Sequence, residues 1–404
     1  MYDAIVVGAR CAGSPTAMLL ARHGYRVLLV DKAAFPSDTL STHFLKRTGC
    51  SLLKRWGLLD RVVATGCPPI KELTFQFGSV KVTGTPPAYG GVDVDYAPRR
   101  TILDNILLEA ALEAGVEVRQ GLKVTGLLKS DGRVTGIRGK SASGEAFQEC
   151  ARIVIGADGL GSLVAREVKA EKYFEAPPRT CAYYAYYRGM PREERAELYL
   201  LDRERRFLLT FPTHDGLNVV FLFWPFEDNR KVRADLEGSF GETLNFVPDL
   251  AKRVRGATRE SNIHGMHLIP NYFRKPFGPG WALAGDAALH RDPITAQGIT
   301  NAFHDAQFLS DALDDVFLER ASETDALAGY EAQRIAALKP LYDYTIQIAQ
   351  LQPFPPEILE LLNALPGNQP AINDFLGSFI GSVPLDHFYD PDNMRRIVAA
   401  ARTV

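Results

Sequence analysis

With 404 residues the chain is too long for one simple core and calls for two domains or one large composite. An apolar content of 46%, a charged content of 23% and a net charge of −2 are ordinary for a soluble globular protein and give no global field for nucleic acid or an anionic membrane. Five scattered cysteines suit a reducing compartment rather than a disulfide framework, and no apolar run approaches the ~20 residues that span a bilayer. A cytoplasmic location is expected, because residues 4–8 already read as a strand with no basic segment ahead of them.

Residues 4–7 are wholly apolar, as expected of a strand buried on both faces, and residues 13–23 read as a helix with Gly24 as its stop. Residues 26–30 form the next buried strand, completing a βαβ unit of about thirty residues. In Gly8-Ala9-Arg10-Cys11-Ala12-Gly13, Gly8 permits a tight turn and Gly13 a close helix–strand approach. The helix N-terminus suits a pyrophosphate, and Asp31-Lys32 closes the second strand where an acid accepts ribose hydroxyls. Arg10 stands where such fingerprints carry a middle glycine, so its side chain must turn away or help to neutralise phosphate. Cys11 lies at the pyrophosphate end and is expected to be a small helix residue rather than a covalent cofactor attachment.

Residues 42–64 read as helical, with Leu45, Leu52, Leu53, Leu58 and Leu59 on the core side, and residues 71–97 read as strands. A helix is expected over 101–114, capped by Thr101 and stopped at Gly115. A strand over 116–119 and a short meander then return the chain to Ile153-Val154-Ile155-Gly156-Ala157-Asp158-Gly159. From about 180 to 268 long aromatic strands suggest an inserted antiparallel sheet. Within it Tyr184, Tyr186, Leu209, Phe211, Phe221 and Phe223 include sets at period two that share a face, which reads either as plain core or as the lining of an apolar substrate pocket. His264-x-x-His267 lacks a third ligand, so no metal is expected. His43 and His290 are expected to be structural, and no catalytic acid or base is named.

Trp281-Ala282-Leu283-Ala284-Gly285-Asp286, running on to Asp292-Pro293-Ile294-Thr295-Ala296-Gln297-Gly298, is a second cofactor segment. Joined to the opening fingerprint it makes the expected nucleotide FAD. There is no second glycine fingerprint, so a nicotinamide donor would have no Rossmann domain of its own. Residues 353–404 begin Pro353-Phe354-Pro355-Pro356 and continue as amphipathic helices; a cap on the substrate domain and a homodimer contact both stay open for them.

The fingerprint, Asp158-Gly159-Leu160-Gly161-Ser162 with Arg166 behind it, and Gly285-Asp286 through Asp305-Ala306 together resemble the flavin monooxygenases of the para-hydroxybenzoate hydroxylase type (group A) and their relatives the geranylgeranyl reductases, over about residues 1–345. The resemblance implies an α/β fold: a Rossmann-like FAD-binding domain of the glutathione-reductase type, an inserted antiparallel substrate sheet and a C-terminal helical segment. The expected divisions are 1–70, 97–178 and 269–350 for the FAD domain, 71–96 and 179–268 for the sheet, and 351–404 for the helices. It implies that Asp286 bonds the ribityl chain, that Pro293 packs near the ring, and that Gln297-Gly298 opens a helix aimed at its pyrimidine edge. It further implies flavin or phosphate contacts for Arg47 and Arg100, and a pyrophosphate role for Asp158. Thr295 and Ala296 depart from the paired glycines often found after the proline, and Thr300 from the usual asparagine.

The activity implied is an NAD(P)H- and O2-dependent monooxygenase acting through a flavin C4a-hydroperoxide on an aromatic, polyketide or isoprenoid-like small molecule. The alternatives are a double-bond reductase of the geranylgeranyl type, which Phe211-Pro212 after Phe207 and Leu209 keeps open, and a structural-FAD protein guiding a non-redox cyclisation. Halogenation is disfavoured, because the Trp-x-Trp-x-Ile-Pro signature is absent.

Overall fold

The computed structural model describes residues 1–191 and 193–402. One sheet has the strand order Phe277–Gly278, Trp281–Leu283, Ala146–Gly156, Tyr2–Val7, Val27–Asp31, Glu117–Gln120. Its last five strands run parallel, with Val154 opposite Trp281, Val7 opposite Gly156, Ala4 opposite Val27 and Leu28 opposite Glu117. A parallel sheet must be covered on both sides. Gly13–Arg22, Arg100–Glu113 and Gly298–Phe317 cover one face, and the antiparallel meander Leu122–Ser130, Arg133–Ser141 and Ala146–Gly156 lies on the other. Asp131 and Gly132, both at positive φ, make the tight turn of its first hairpin.

A second sheet has the order Thr258–Arg259, Thr180–Arg188, Leu217–Pro225, Arg206–Pro212, Arg195–Leu201, Glu72–Phe77, Val80–Gly84. It is antiparallel except where Glu72–Phe77 runs parallel to Arg195–Leu201. The sequence over 180–268 is not all strand, however. Asn229–Ala234, Leu236–Asn245 and Pro248–Arg255 are helices, begun at Asp235, whose side chain accepts from Gly238 N–H, and at Pro248 in the first turn. They cover the outer face of the sheet through Val232, Phe240, Leu244 and Leu250 against Trp224, Leu222 and Tyr183.

The expected helix over 42–64 is also broken. His43 takes φ +58°, Leu45 exchanges backbone hydrogen bonds with Tyr96, and Gly57 at φ +74° separates Arg47–Arg55 from Leu59–Ala64. Helix Arg100–Glu113 starts one residue early, so Thr101 lies inside its first turn and Arg99 is the cap.

Helices Pro356–Ala364, Gln369–Ile380, Leu385–Phe388 and Pro391–Ala401 fold back onto the inner face of the second sheet. Phe375 meets Phe75 at 5.1 Å between ring centres, and Phe354 meets Phe77 at 5.0 Å. The last two residues of the expected 351–404 segment lie outside the described residues. Among the described residues no helix is long and apolar enough to cross a membrane.

Candidate functional site

Four neighbouring parallel strands release their motifs at one edge of the first sheet. Gly8 N–H donates to Val30 C=O at 2.8 Å, Ala157 N–H to Val7 C=O at 2.8 Å, and Ala284 N–H to Gly156 C=O at 3.0 Å. Gly8, Asp31, Asp158 and Gly285 therefore emerge side by side at the carboxyl ends of their strands, the edge where open α/β sheets bind ligands.

Each glycine there answers a contact. A Cβ on Gly8, at φ +104°, would lie 2.4 Å from Ala157 O, and one on Gly13 only 1.7 Å from Gly8 O. Gly285, at φ +61°, would bring a Cβ within 2.8 Å of Ala12 Cβ. The helix Gly13–Arg22 can thus sit tight on the turn, and its N-terminus carries no side-chain cap. Asp31 accepts from Ala9 N–H at 2.7 Å and Ala33 N–H at 2.8 Å, bracing the fingerprint turn while each oxygen keeps a second lone pair. Lys32 beside it is exposed.

Arg10 turns away from the turn. Its guanidinium donates to Asp104 at 2.6 Å and to Ser37 Oγ at 2.8 Å, and stands 5.3 Å over the Phe35 ring. Asp104 also takes both prongs of Arg100, at 2.9 and 3.0 Å, so the helix turn 100–104 is bolted to the fingerprint. Cys11 lies in the turn rather than in the helix and donates to Asp104 at 3.2 Å; burial holds its thiol well above the usual range.

Asp286 is exposed and makes no hydrogen bond or ion pair through its carboxylate among the described residues. Just behind it, Gly285 N–H donates to Asp305 at 2.8 Å, and Asp305 pairs with the fully buried Arg334 at 2.6 and 3.2 Å. Asp292 accepts from Thr180 Oγ1 at 2.7 Å and Ile294 N–H at 3.1 Å, opening the turn Pro293–Thr295. Ala296 then takes φ +50° and Gln297 caps the helix Gly298–Phe317. Around this turn polar atoms are buried without partners among the described residues: Arg291 Nε and Nη1, Gln297 Nε2, Thr300 Oγ1 and Asn301 Nδ2. These atoms are closed off within the packing beneath the turn, unlike the exposed carboxylate of Asp286.

Asp158 is committed locally, accepting from Ser162 Oγ, Leu163 N–H and Val164 N–H, and burial raises its carboxyl above the ordinary range. Arg47 differs from the expectation of a flavin contact. It is fully buried, with Nη2 3.1 Å from Asp95 and Nη1 on the carbonyls of Pro86 and Pro87, because the chain between 86 and 95 folds over it. Arg334 and Arg291 carry no local signal in the sequence, whereas the Arg100–Asp104 pair has one, its spacing of four.

All six aromatic and aliphatic candidates of the second sheet, Tyr184, Tyr186, Leu209, Phe211, Phe221 and Phe223, share its inner face. Tyr184 stacks on Phe221, and Phe221 on Phe223, each at 4.9 Å. Ile294 and Ala296 of the Pro293 turn belong to the same cluster, and the C-terminal helices close it. His43 donates to or accepts from Tyr186 OH at 2.6 Å, and burial pushes its pKa down to about 3, which keeps the ring neutral. His290 Nδ1 bonds Pro270 C=O at 2.5 Å. Among the described residues no set of three or more His, Cys, Asp or Glu is gathered to hold a metal.

Residues 1–345, from the fingerprint to the helix that carries Arg334, match the model of the FAD binding domain family. The chain belongs to this family. It is an FAD-dependent oxidoreductase, and the resemblance to flavin monooxygenases and geranylgeranyl reductases is borne out. It is 29% identical over 338 residues to a digeranylgeranylglycerophospholipid reductase of Methanosarcina acetivorans, covering 80% of this chain and 79% of the relative. To the 3-demethoxyubiquinol 3-hydroxylase of Escherichia coli it is 26% identical over 358 residues, 84% of this chain and 85% of the relative. The solved structure of the flavin-dependent brominase Bmp2 superposes with a TM-score of 0.83, covering 100% of this chain and 99% of the other, at 18% identity, which bears on the fold alone. The uncapped helix, the three tight glycines and the exposed, unpaired Asp286 fit FAD.

Proposed function

We propose that this protein is an NAD(P)H-dependent monooxygenase whose substrate lies between the Pro293 turn and the inner face of the second sheet. FAD would span the sheet edge, its pyrophosphate at Gly8–Gly13 with Arg100 nearby and Asp158 flanking, its ribose at Asp31-Lys32, and its ribityl chain on Asp286. Pro293, Gln297 and Gly298 would meet the ring. Bound FAD supplies hydride acceptance and oxygen activation. The balanced reaction is substrate–H + O2 + NAD(P)H + H+ giving substrate–OH, NAD(P)+ and water.

The observation that carries this reading is the closed apolar face. Tyr184, Phe221 and Phe223 stack in one run, with Ile294 and Ala296 on one side and the C-terminal helices on the other. Oxygen transfer needs water kept out and the substrate held close, and a closed apolar face would serve both. The aromatic lining favours an aromatic, polyketide or isoprenoid-like substrate. The second reading is a flavin-dependent double-bond reductase, favoured by the 29% identity to the archaeal lipid reductase.

Turnover under 18O2 with NADPH and a panel of phenols, quinols and polyprenyl compounds separates the two. Product gaining one 18O per nicotinamide oxidised supports oxygenation, whereas product gaining two hydrogens and no label overturns it. The cofactor half is tested by Asp286→Ala, expected to raise the dissociation constant for FAD about tenfold to a hundredfold, as loss of a charged hydrogen bond does. Unchanged affinity in a fluorescence titration of the apoprotein would count against the ribityl contact.

A further inference from the structure

Arg10 is the residue of the fingerprint turn that departs from glycine, and every group its guanidinium bonds lies outside that turn. Nη1 donates to Asp104 at 2.6 Å and to Ser37 C=O at 3.2 Å. Nη2 donates to Ser37 Oγ at 2.8 Å and to Asp38 C=O at 3.2 Å, and the guanidinium stands 5.3 Å over the Phe35 ring. Residues 33–38 continue directly from Asp31-Lys32, where the ribose of FAD is proposed to lie. The start of this loop is fastened to the sheet, where Phe35 N–H donates to Gln120 at 2.6 Å. At its far end the Asp38 carboxylate is 3.5 Å from Arg99, too long for a good hydrogen bond. Arg10 therefore supplies the hydrogen bonds that fix Ser37 and Asp38 against the fingerprint. Asp104 is also held by both prongs of Arg100, so Arg10 is not needed to balance that buried acid. With its side chain 25% exposed, Arg10 ties a surface loop to the turn rather than filling a core.

We infer that Arg10 is a positioning residue for the cofactor: it holds loop 33–38 against the adenosine half of FAD and thereby slows FAD release. An ordinary fingerprint has glycine here so that backbone alone approaches the phosphates. This chain keeps Gly8 and Gly13 for the close contacts and gives the middle position to a clasp. Arg10 and Arg100 share the one carboxylate of Asp104, which leaves a net positive charge beside the turn. That charge favours a diphosphate lying across the turn. The inference rests on FAD lying along this edge, as proposed above, and is independent of what the reduced flavin does.

The test is the rate at which FAD leaves purified holoenzyme, read from flavin fluorescence with excess competing apoflavoprotein as a trap. Arg10→Gly, which restores the usual fingerprint residue, is expected to release FAD about tenfold faster, the order expected for losing one charged hydrogen bond. Arg10→Ala is expected to match it, which removes glycine flexibility as the cause. The urea midpoints of the apoproteins are expected to stay near that of the parent, because Asp104 keeps Arg100. Ser37→Ala is expected to speed release about threefold in the parent and not at all in the Arg10→Gly background. Release from Arg10→Gly no faster than from the parent, or a lower midpoint with unchanged release, overturns the inference. Additive effects of Arg10→Gly and Ser37→Ala overturn it too. If neither Arg10 variant folds, Ser37→Ala alone decides, and unchanged release counts against the clasp. A parent that binds no FAD refutes the cofactor reading and this inference with it, whereas slow release from a fully loaded Arg10→Gly refutes the inference alone.

Discussion

Gly13→Ala is expected to yield protein that has lost most of its FAD and at least about 3 kcal/mol of stability. The new methyl would lie 1.7 Å from Gly8 O and 3.2 Å from Ala157 Cβ. Gly8 cannot yield, since its own φ of +104° is fixed between Val30 and Ala157. The helix must therefore lift from the strand, carrying away the amides proposed to bind the pyrophosphate and slackening the packing of Ala17, Met18 and Leu20. The checks are the ratio of flavin absorbance to protein and a urea titration. Full flavin loading with an unchanged midpoint would mean that the close approach of helix to turn is not needed.

Asp305→Asn should cost about 3–5 kcal/mol, although the substitution preserves shape. Asp305 does two things: it balances the fully buried Arg334, and it accepts from Gly285 N–H beside Asp286. Asparagine keeps the second contact and forfeits the first, leaving a guanidinium buried without its carboxylate. Helix Glu323–Ile348 is tied to the sheet here and by Tyr330 OH donating to Leu283 C=O at 2.8 Å, so the loss reaches the cofactor edge. The double variant Asp305→Asn/Arg334→Leu removes both charges and is expected to be more stable than Asp305→Asn alone. A single variant within about 1 kcal/mol of the parent, or a double variant worse than the sum of its parts, would refute the account of this pair.

What the sequence made legible is what local chemistry dictates. Gly8 and Gly13 announce a strand–turn–helix because only glycine tolerates those contacts, and the period-two aromatics assign one sheet face without knowledge of its neighbours. The late Gly285-Asp286 segment and the start of its helix at Gly298 followed in the same way. What escaped is set by partners distant in the chain. Arg10 is directed by Asp104 and Ser37, and Arg47 by Asp95 and two proline carbonyls, none of which a motif predicts. The three helices over 229–255 did carry signals, at Asp235 and Pro248, but the aromatic strands ahead of them dominate the stretch of about 180–268, which reads as one inserted sheet. The C-terminal helices were legible as amphipathic, and only the apolar inner face of the sheet told them where to go.

The central claim is that reduced flavin here passes oxygen to a substrate. The most direct measurement reduces the protein anaerobically and mixes it rapidly with oxygenated buffer while absorbance is followed, with and without candidate aromatic ligands. The account predicts a transient near-ultraviolet band ahead of the return of oxidised flavin, longer-lived in the apolar site when a ligand is bound. Single-phase reoxidation under every condition, with hydrogen peroxide formed in equal amount to the flavin, would contradict it.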